Sequence, residues 1–274
     1  MAFKEGDLVV FADHRVRVLQ RLTRGGCLDT HWGYIEHDNV LGREPGSLIK
    51  TSVGKKLWVF YPSLSDYIMK MPRKSGIIYP KDLGVIMMWA DVFPGARVLL
   101  GGVGSGALLI AMLRQVGATG KVVAYDVRQD MLDWAAKNVA AYFGEVPSFL
   151  ELKLGDIYEY EPTKEIQFDR VILDVPEPWR AVETAFAALV PGGIACSYLP
   201  SVVQVQTFVT ALQEAGTFGL VETVEVLMRD WYVAGRAVRP EHRMVGHTGF
   251  LTFARKLSCK DSARPESSEA LSEN

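Results

Sequence analysis

Short apolar runs alternate with longer amphipathic stretches from residue 77 onward, and this pattern predicts an α/β domain. The runs have the length of buried strands, and the stretches between them carry apolar residues at helical spacing. We predict helix 83–91, strand 97–101, helix 106–116, strand 121–126, helix 129–143, strand 149–154, strand 168–174, helix 179–189, strand 193–198, helix 202–215 and late strands near 220–228 and 249–254. Strands separated by helices imply right-handed crossovers and a mostly parallel sheet that is covered on both faces.

Residues 1–70 follow a different pattern, which predicts a small N-terminal β domain, either a barrel or a sandwich. Short β-rich runs at 7–11, 15–19 and 56–60 are separated by glycines, and no helical periodicity is long enough to matter. Such a domain serves as a binding or assembly appendage, or as a purely structural cap. The main domain is expected over residues 71–257, and the polar segment 258–274 is expected to be disordered.

Composition narrows the class of protein. The 274 residues are 49% hydrophobic and 23% charged, with a net charge of −2, as in an ordinary globular enzyme. No overall positive field is present, so nucleic-acid binding would need local basic patches or several chains. Cys27, Cys196 and Cys259 have neither metal-ligand nor disulfide spacing, and no signal peptide or long apolar span is visible. We therefore expect a cytoplasmic protein without a metal or a membrane partner.

Glycines mark the turn after the first strand of the main domain. Gly102, Gly104 and Gly106 have G-x-G-x-G spacing, and a helix follows at once. Such a turn leaves backbone N–H groups facing open space, where glycine lets a ligand approach closely. Asp126 ends the next strand, where an acid suits the two hydroxyls of a ribose. The pair predicts a site for a nucleoside-containing cofactor; a bare structural turn is the alternative.

Two more acids follow strands that we predict to lie beside this turn. Ligands of open parallel sheets bind outside the carboxyl ends of the strands. Asp156 is placed to accept a hydrogen bond from an adenine amine, or else is a solvated loop acid. Asp174 ends an apolar run and precedes two prolines and Trp179. A buried carboxylate is unfavourable by several kcal/mol unless it is partnered, so Asp174 is a functional group or a helix N-cap.

Several segments carry a family resemblance. They read I-I-Y-P-K-D at 77–82, G-x-G-S-G-A-L at 102–108, L-D-V-P-E-P-W at 173–179, S-Y-L-P at 197–200, R-P-E-H-R-M-V-G-H-T-G-F-L at 239–251 and H-D-N-V-L-G-x-E-P-G-S at 37–47. Together they resemble the tRNA adenine-N1 methyltransferases, which modify the T-loop adenosine at position 58, in their bacterial and archaeal single-gene form. The resemblance covers about residues 3–257.

The resemblance implies a Rossmann-like class I methyltransferase sheet with a late antiparallel hairpin at its edge. It also implies S-adenosylmethionine as cofactor, tRNA as substrate and a homotetramer as assembly. The residues it places around the cofactor are Ile78, Ser105, Gly106, Ala107, Asp126, Met131, Asp156, Ile157 and Asp174. Those it places near the incoming base are Tyr79, Tyr198 and His247.

Further residues are candidates for contacts with the RNA. Trp179, Tyr79 and Tyr198 are aromatic faces that could stack on the base, although each also suits a hydrophobic core. Local phosphate patches could form from Arg73, Lys74, Arg180, Arg236, Arg239 and Arg243.

Three positions depart from the family pattern. Leu100 stands where the family usually has an acid that helps to hold the methionine end of the cofactor. Val103 replaces a small residue within the turn, and Gly76 stands where glutamine is usual. The first departure predicts weakened cofactor binding.

Asp174 is our candidate for the catalytic residue. Adenine N1 is a poor nucleophile, and a carboxylate that accepts a hydrogen bond from the N6 amine raises the electron density at N1 and can take up the surplus proton. Two rival functions stay open: an RNA-binding paralogue without activity, and a nicotinamide-dependent dehydrogenase. The retained acids disfavour the first, and the missing third glycine of a G-x-G-x-x-G motif disfavours the second.

Overall fold

The computed structural model describes residues 2–163 and 166–258, and these divide into two compact units. Residues 2–73 together with 141–145 form the first unit, and the remaining described residues form the second. Of the segment expected to be disordered, all but Ser258 lies outside the described residues, as does Cys259. Among the residues described, no helix is both long and apolar enough to cross a membrane.

The first unit is built on a four-stranded antiparallel sheet. Its strands are β1 (Leu8–Ala12), β2 (Arg17–Arg21), β5 (Ser47–Lys50) and β6 (Lys56–Phe60), in the order β2-β1-β6-β5. Strands β3 (Cys27–Thr30) and β4 (Gly33–Glu36) form a separate antiparallel hairpin. The core of the unit includes Phe11, Ile49, Leu57 and Val59. Along β5 and β6 the core side chains alternate with exposed ones.

The expectation that residues 1–70 lack a significant helix is wrong. Helix α1 (Leu64–Lys70) follows β6 and buries Tyr67 and Ile68. It begins with a capping box, in which the Ser63 side chain accepts the N–H of Asp66 while the Asp66 side chain accepts the N–H of Ser63. Seven residues are too short to show helical periodicity, so the signal lay in the cap.

The second unit contains a seven-stranded sheet that matches the expected α/β class. Its strands are β7 (Arg97–Gly101), β8 (Lys121–Asp126), β9 (Leu150–Leu154), β10 (Phe168–Leu173), β11 (Leu189–Leu199), β12 (Phe218–Glu225) and β15 (Phe250–Lys256). The order is β12-β15-β11-β10-β7-β8-β9, and β15 runs antiparallel to both of its neighbours, β11 and β12. The expected late antiparallel pair is therefore confirmed.

Helices connect these strands close to the positions predicted. They are α2 (Pro80–Trp89), α3 (Ala107–Val116), α4 (Gln129–Phe143), α5 (Val182–Ala188) and α6 (Val202–Ala215). The expected helix over 179–189 is shorter, because Pro178–Ala181 form a 3-10 turn and β11 already starts at Leu189. One face of the sheet packs with α5 and α6 around Val171, Leu173, Ala195 and Leu199.

A hairpin that the sequence did not predict lies between β12 and β15. Strands β13 (Trp231–Ala234) and β14 (Ala237–Pro240) pair antiparallel, and Trp231, Val233 and Val238 are about 60–70% exposed. Because no residue of β13 is buried, the hairpin lacks the inside–outside alternation that reveals a strand in sequence.

Candidate active site

The candidate site lies outside the carboxyl ends of β7, β8 and β10, where the strand order reverses between β7 and β10. A cavity of about 390 Å³ opens there. Its walls include five residues expected from the sequence: Gly102, Asp126, Asp156, Ile157 and Asp174. The other wall residues are Tyr125, Val127, Gly155, Tyr158, Val175, Pro176, Glu177 and Arg180.

Gly102 makes the close approach between the glycine turn and the loop after β10 possible. Its φ is +85°, and a Cβ at this position would collide with the carbonyl oxygen of Asp174. The Asp174 N–H donates to the carbonyl oxygen of Gly101 at 2.8 Å. The backbone of the candidate catalytic residue is therefore fixed directly by the turn that precedes α3.

Asp126 organises the same turn from the neighbouring strand. Its Oδ2 accepts the N–H groups of Val103 at 3.0 Å and Gly104 at 3.1 Å, and its Oδ1 accepts that of Arg128 at 3.0 Å. A carboxylate oxygen has two lone pairs, so the N–H groups of Val103 and Gly104 occupy Oδ2 fully, whereas Oδ1 keeps capacity for a ligand hydroxyl. The acid thus shapes the cavity that it also lines.

Ser105 faces away from the cavity and joins the turn to the chain before α2. It is 2% exposed, and its hydroxyl oxygen accepts the N–H groups of Lys74 at 3.0 Å and Ser75 at 3.1 Å. The hydroxyl of Ser75 lies 2.9 Å from the same oxygen. The role of the Ser105 side chain in this structure is to hold the turn.

The remaining expected cofactor residues do not line the cavity. Ile78, Ala107 and Met131 are almost completely buried, and Gly104 belongs to the turn that Asp126 holds. At Gly106, which has a φ of +92°, a Cβ would lie 3.3 Å from Ala135 of α4, so this glycine permits close packing of α4 against the turn.

Tyr158 is a cavity residue that sequence reasoning missed. It follows Asp156, whose Oδ1 accepts the Tyr158 N–H at 2.9 Å. The Tyr158 hydroxyl accepts the N–H of Glu177 at 3.0 Å, and the Arg180 guanidinium lies 4.4 Å from the ring centre. Its position just past a strand end was the available signal, but a single tyrosine in a loop carries no motif.

Asp174 has the most perturbed carboxylate of the site. It is half-buried, and burial together with the nearby Asp126 carboxylate raises its pKa to about 7. A carboxyl group that titrates near neutral pH can accept a hydrogen bond or a proton under working conditions. This arrangement suits acid–base chemistry at the cavity wall.

A buried polar cluster adjoins Tyr198. The Lys81 ammonium lies 2.7 Å from Asp82 Oδ1, and Thr248 Oγ1 donates to Asp82 Oδ2 at 2.8 Å. Lys81 also donates to the carbonyl oxygen of Val226 and to Thr248 Oγ1. The Tyr198 hydroxyl donates to the carbonyl oxygen of Thr248. Burial raises the pKa of Tyr198 to about 12, and the nearby carboxylates of Asp82 and Asp174 contribute to the increase.

The other expected base-binding residues differ in their surroundings. Tyr79 is half-buried at the start of α2. Trp179 packs against the cluster beneath α5 and α6, which favours its core role. Both ring nitrogens of His247 face acceptors, Glu225 Oε1 at 2.7 Å and the Pro200 carbonyl oxygen at 2.8 Å. These two hydrogen bonds raise the pKa of His247 and favour the imidazolium, which alone donates from both nitrogens.

Comparison with known proteins assigns the chain to a family. A family model described as the tRNA methyltransferase complex GCD14 subunit matches residues 56–238, and one described as the TR61B FKBP-like domain matches residues 12–54. The chain is 38% identical over 232 residues to a tRNA (adenine(58)-N(1))-methyltransferase of Thermus thermophilus, with 85% of this chain and 89% of the relative covered. It is 34% identical to a tRNA (adenine(57)-N(1)/adenine(58)-N(1))-methyltransferase of Methanocaldococcus jannaschii, with 77% and 83% covered.

Two solved structures are similar over nearly the whole chain. A protein of Thermotoga maritima described as an S-adenosylmethionine-dependent O-methyltransferase superposes with a TM-score of 0.88 at 36% identity, covering 95% of this chain and 96% of its own. The tRNA (m1A58) methyltransferase of Aquifex aeolicus superposes with a TM-score of 0.83 at 30% identity, covering 94% of this chain and 100% of its own. These similarities confirm the class I methyltransferase fold and exclude the dehydrogenase. The chain therefore belongs to the GCD14 family of tRNA methyltransferases.

Proposed function

We propose that this enzyme transfers a methyl group from S-adenosylmethionine to N1 of the adenosine at position 58 in the T-loop of tRNA. The observation that carries the proposal is the Asp174 carboxylate, which titrates near neutral pH on the wall of a cavity at the strand switch point. Membership of a tRNA methyltransferase family and the names of relatives that act on adenine N1 support it.

The cavity has the donors and acceptors that the adenosine part of this cofactor needs. Asp126 is our proposed partner of the ribose hydroxyls, and Asp156 that of the adenine amine. Apolar side chains of Val127 and Ile157 supply walls for a planar base. The close approach at Gly102, where a Cβ has no room, keeps the floor of the cavity free of side chains. Of the other proposed cofactor residues, Ile78, Gly104, Ser105, Gly106, Ala107 and Met131 would act by shaping the turn and its supports.

The methionine end of the cofactor would lack the acid that the family pattern places at Leu100. Leu100 is completely buried at the end of β7. We expect Leu100→Glu to tighten S-adenosylmethionine binding about tenfold, since a charge-assisted hydrogen bond contributes roughly 1.5–3 kcal/mol before the unfavourable burial of the new carboxylate is subtracted. Calorimetric titration measures the affinity. Leu100→Gln is the matched neutral control, and an equal effect of Gln and Glu, or weaker binding of Glu, would contradict the assignment.

The bound cofactor supplies a methyl group on a sulfonium, which makes the carbon electrophilic. The residues of the chain contribute position and a proton acceptor. We propose that Asp174 accepts a hydrogen bond from the N6 amine, which raises the electron density at N1, and then takes up the surplus proton. Tyr79 and Tyr198 would hold the base after it leaves its stack, His247 would lie near it, and Trp179 would offer a further aromatic face.

The function is tested by methyl transfer to an unmodified tRNA transcript. Digestion and mass spectrometry should find one 1-methyladenosine per tRNA, and primer extension should stop at position 58 because the methyl group blocks base pairing. A transcript with guanosine at position 58 is the control and should stay unmodified. Methyl groups found on an oxygen, or at another position, would point to a different acceptor, and no transfer at all would identify the RNA-binding paralogue.

We also propose that the enzyme works as a homotetramer, as the family resemblance implies. Exposed apolar side chains are concentrated in segment 227–245, which contains β13 and β14, and this concentration supports association. They are Leu227, Met228, Trp231, Val233, Val238, Met244 and Val245. Sedimentation should show a tetramer, and a monomer at micromolar concentration would refute the proposed assembly.

The cytoplasmic location stays a prediction that follows from the proposed tRNA substrate.

A further inference from the structure

We infer that the outer face of the β5–β6 hairpin is an RNA-binding platform, formed by Leu48, Lys50, Lys56, Trp58 and Phe60. The inference rests on the proposed tRNA substrate, and it adds a second contact surface to the catalytic site. We call these five residues the hairpin platform.

The register of the sheet places all five side chains on one face. Leu48 lies opposite Trp58 and Lys50 lies opposite Lys56, while the intervening Ile49 and Leu57 point into the core. Side chains of successive strand residues alternate between faces, so the exposed set is continuous. Trp58 is 39% exposed, Phe60 41% and Leu48 45%.

The same face of the sheet is covered where it passes to β1 and β2. Ala12, next to Trp58 in the adjoining strand β1, is buried, as is Val10, next to Phe60. Helix α1 packs against β2. The aromatic side chains of β6 are therefore exposed at the border of a covered region, with His14 edge-on to Trp58 at 5.8 Å between ring centres.

Charge identifies the kind of partner. Lys50 and Lys56 face each other directly, and neither forms an ion pair with a carboxylate in the described part of the chain, whereas the neighbouring Lys55 lies 2.8 Å from Asp13. Like charges directly opposite each other destabilise a sheet. A phosphate between the two ammonium groups removes this repulsion.

The combination of aromatic faces and lysines fits an RNA better than a second copy of the chain. Aromatic side chains beside a cationic groove bind unpaired nucleotides by stacking and by phosphate contacts. Protein–protein interfaces, by contrast, are depleted in lysine. An unpaired nucleotide of the tRNA, stacked on Trp58 with its phosphate at the lysine pair, satisfies both features.

Two sets of variants test the platform by tRNA binding to the full chain, measured with fluorescently labelled transcript. Trp58→Leu keeps the apolar surface but removes the large π-face, and should raise Kd about 5- to 20-fold, whereas Trp58→Phe should change it less than threefold. Lys50→Ala/Lys56→Ala should reduce the slope of log Kd against log salt concentration by about 1, because the two lysines share one phosphate. Lys121→Ala is the control; this lysine pairs with Glu151 at the amino ends of the second unit's strands.

The outcomes separate this inference from the proposed function. If the wild type methylates tRNA but the variants keep its Kd and its salt slope, the platform alone is overturned. Binding that depends on Trp58 and the lysines, without any methyl transfer by the wild type, would leave the platform and overturn the function. A change of sedimentation coefficient in Trp58→Leu would assign the face to a second copy and overturn the inference.

Discussion

Replacement of Asp174 by alanine is expected to lower the single-turnover rate of methyl transfer by about 10²- to 10⁴-fold, the range for loss of a positioned proton acceptor. The side chain lines the cavity, while its backbone is held by Gly101 and packed against Gly102, so the substitution leaves the local fold in place. The affinity for tRNA should change little, because phosphate contacts supply most of it. A rate close to wild type would remove Asp174 from the mechanism.

Asp174→Asn separates charge from shape, because it keeps one acceptor oxygen. If the ionised carboxylate is required, the wild-type kcat/KM rises about tenfold per pH unit below pH 7 and levels off above it, since kcat/KM follows the pKa of the free enzyme. The Asn variant should be slow at all pH values and should lack this rise. A flat wild-type profile between pH 5 and 8 would contradict the assignment.

The same pKa makes a prediction for stability that serves as the control for folding. The pKa of the Asp174 carboxyl is raised from 3.8 in the unfolded chain to about 7 in the folded one, so the folded state resists ionisation. The wild type therefore loses stability relative to Asp174→Asn as the pH rises from about 4 to about 7. Thermal unfolding should show the Asn variant as the more stable protein at pH 8, with a smaller difference at pH 5.

Asp82→Ala is expected to destabilise the second unit by roughly 3–5 kcal/mol, because it leaves the Lys81 ammonium buried without its counter-ion. The Asp82 side chain is fully buried and that of Lys81 is 8% exposed. For a unit of this size, the loss corresponds to about 6–20 °C in Tm. Urea unfolding followed by circular dichroism measures the free energy.

A double variant provides the matched control. Lys81→Met/Asp82→Leu removes both charges and keeps the volume, so it should be more stable than Asp82→Ala alone. The double variant should nevertheless lose activity, since Thr248 then lacks the partners that fix the carbonyl oxygen bound by Tyr198. If Asp82→Ala lowers the free energy of unfolding by less than about 1 kcal/mol, the ion pair is solvated and does not stabilise the second unit.

Local sequence signals predicted the strand ends and the glycine turn of the site. The apolar run of β7, the glycine at 102 and the acid at the end of β8 each depend on neighbours within a few residues, and the parallel topology then brings Asp126 and Asp174 to one cavity. The boundaries of β8, α4 and α6 agree with the predictions to the residue, because β8 is a short apolar run and the two helices carry helical periodicity.

Sequence reasoning did not reveal contacts between segments that are distant in the chain. Lys81 was part of a recognised motif, yet its partners Val226 and Thr248 are 145 and 167 residues away. Trp179 suited either base stacking or a core in sequence, and its packing against the cluster that includes α5 and α6 depends on helices that follow it in the chain. Ser105 and Gly106 belong to the expected turn, and only the packing of residues 74–75 and of α4 reveals that they support it rather than line the cavity.

The Lys81 cluster also has a consequence for biosynthesis. On the ribosome, Lys81 and Asp82 emerge long before Thr248, which is 166 residues downstream of Asp82. Until that segment leaves the exit tunnel, Lys81 and Asp82 can form an ion pair with each other, but their hydrogen bonds to the Thr248 hydroxyl cannot form. The hydrogen bonds of this cluster can therefore be completed only when the segment just before β15 has been synthesised, although the unit's domain core is largely encoded upstream of it.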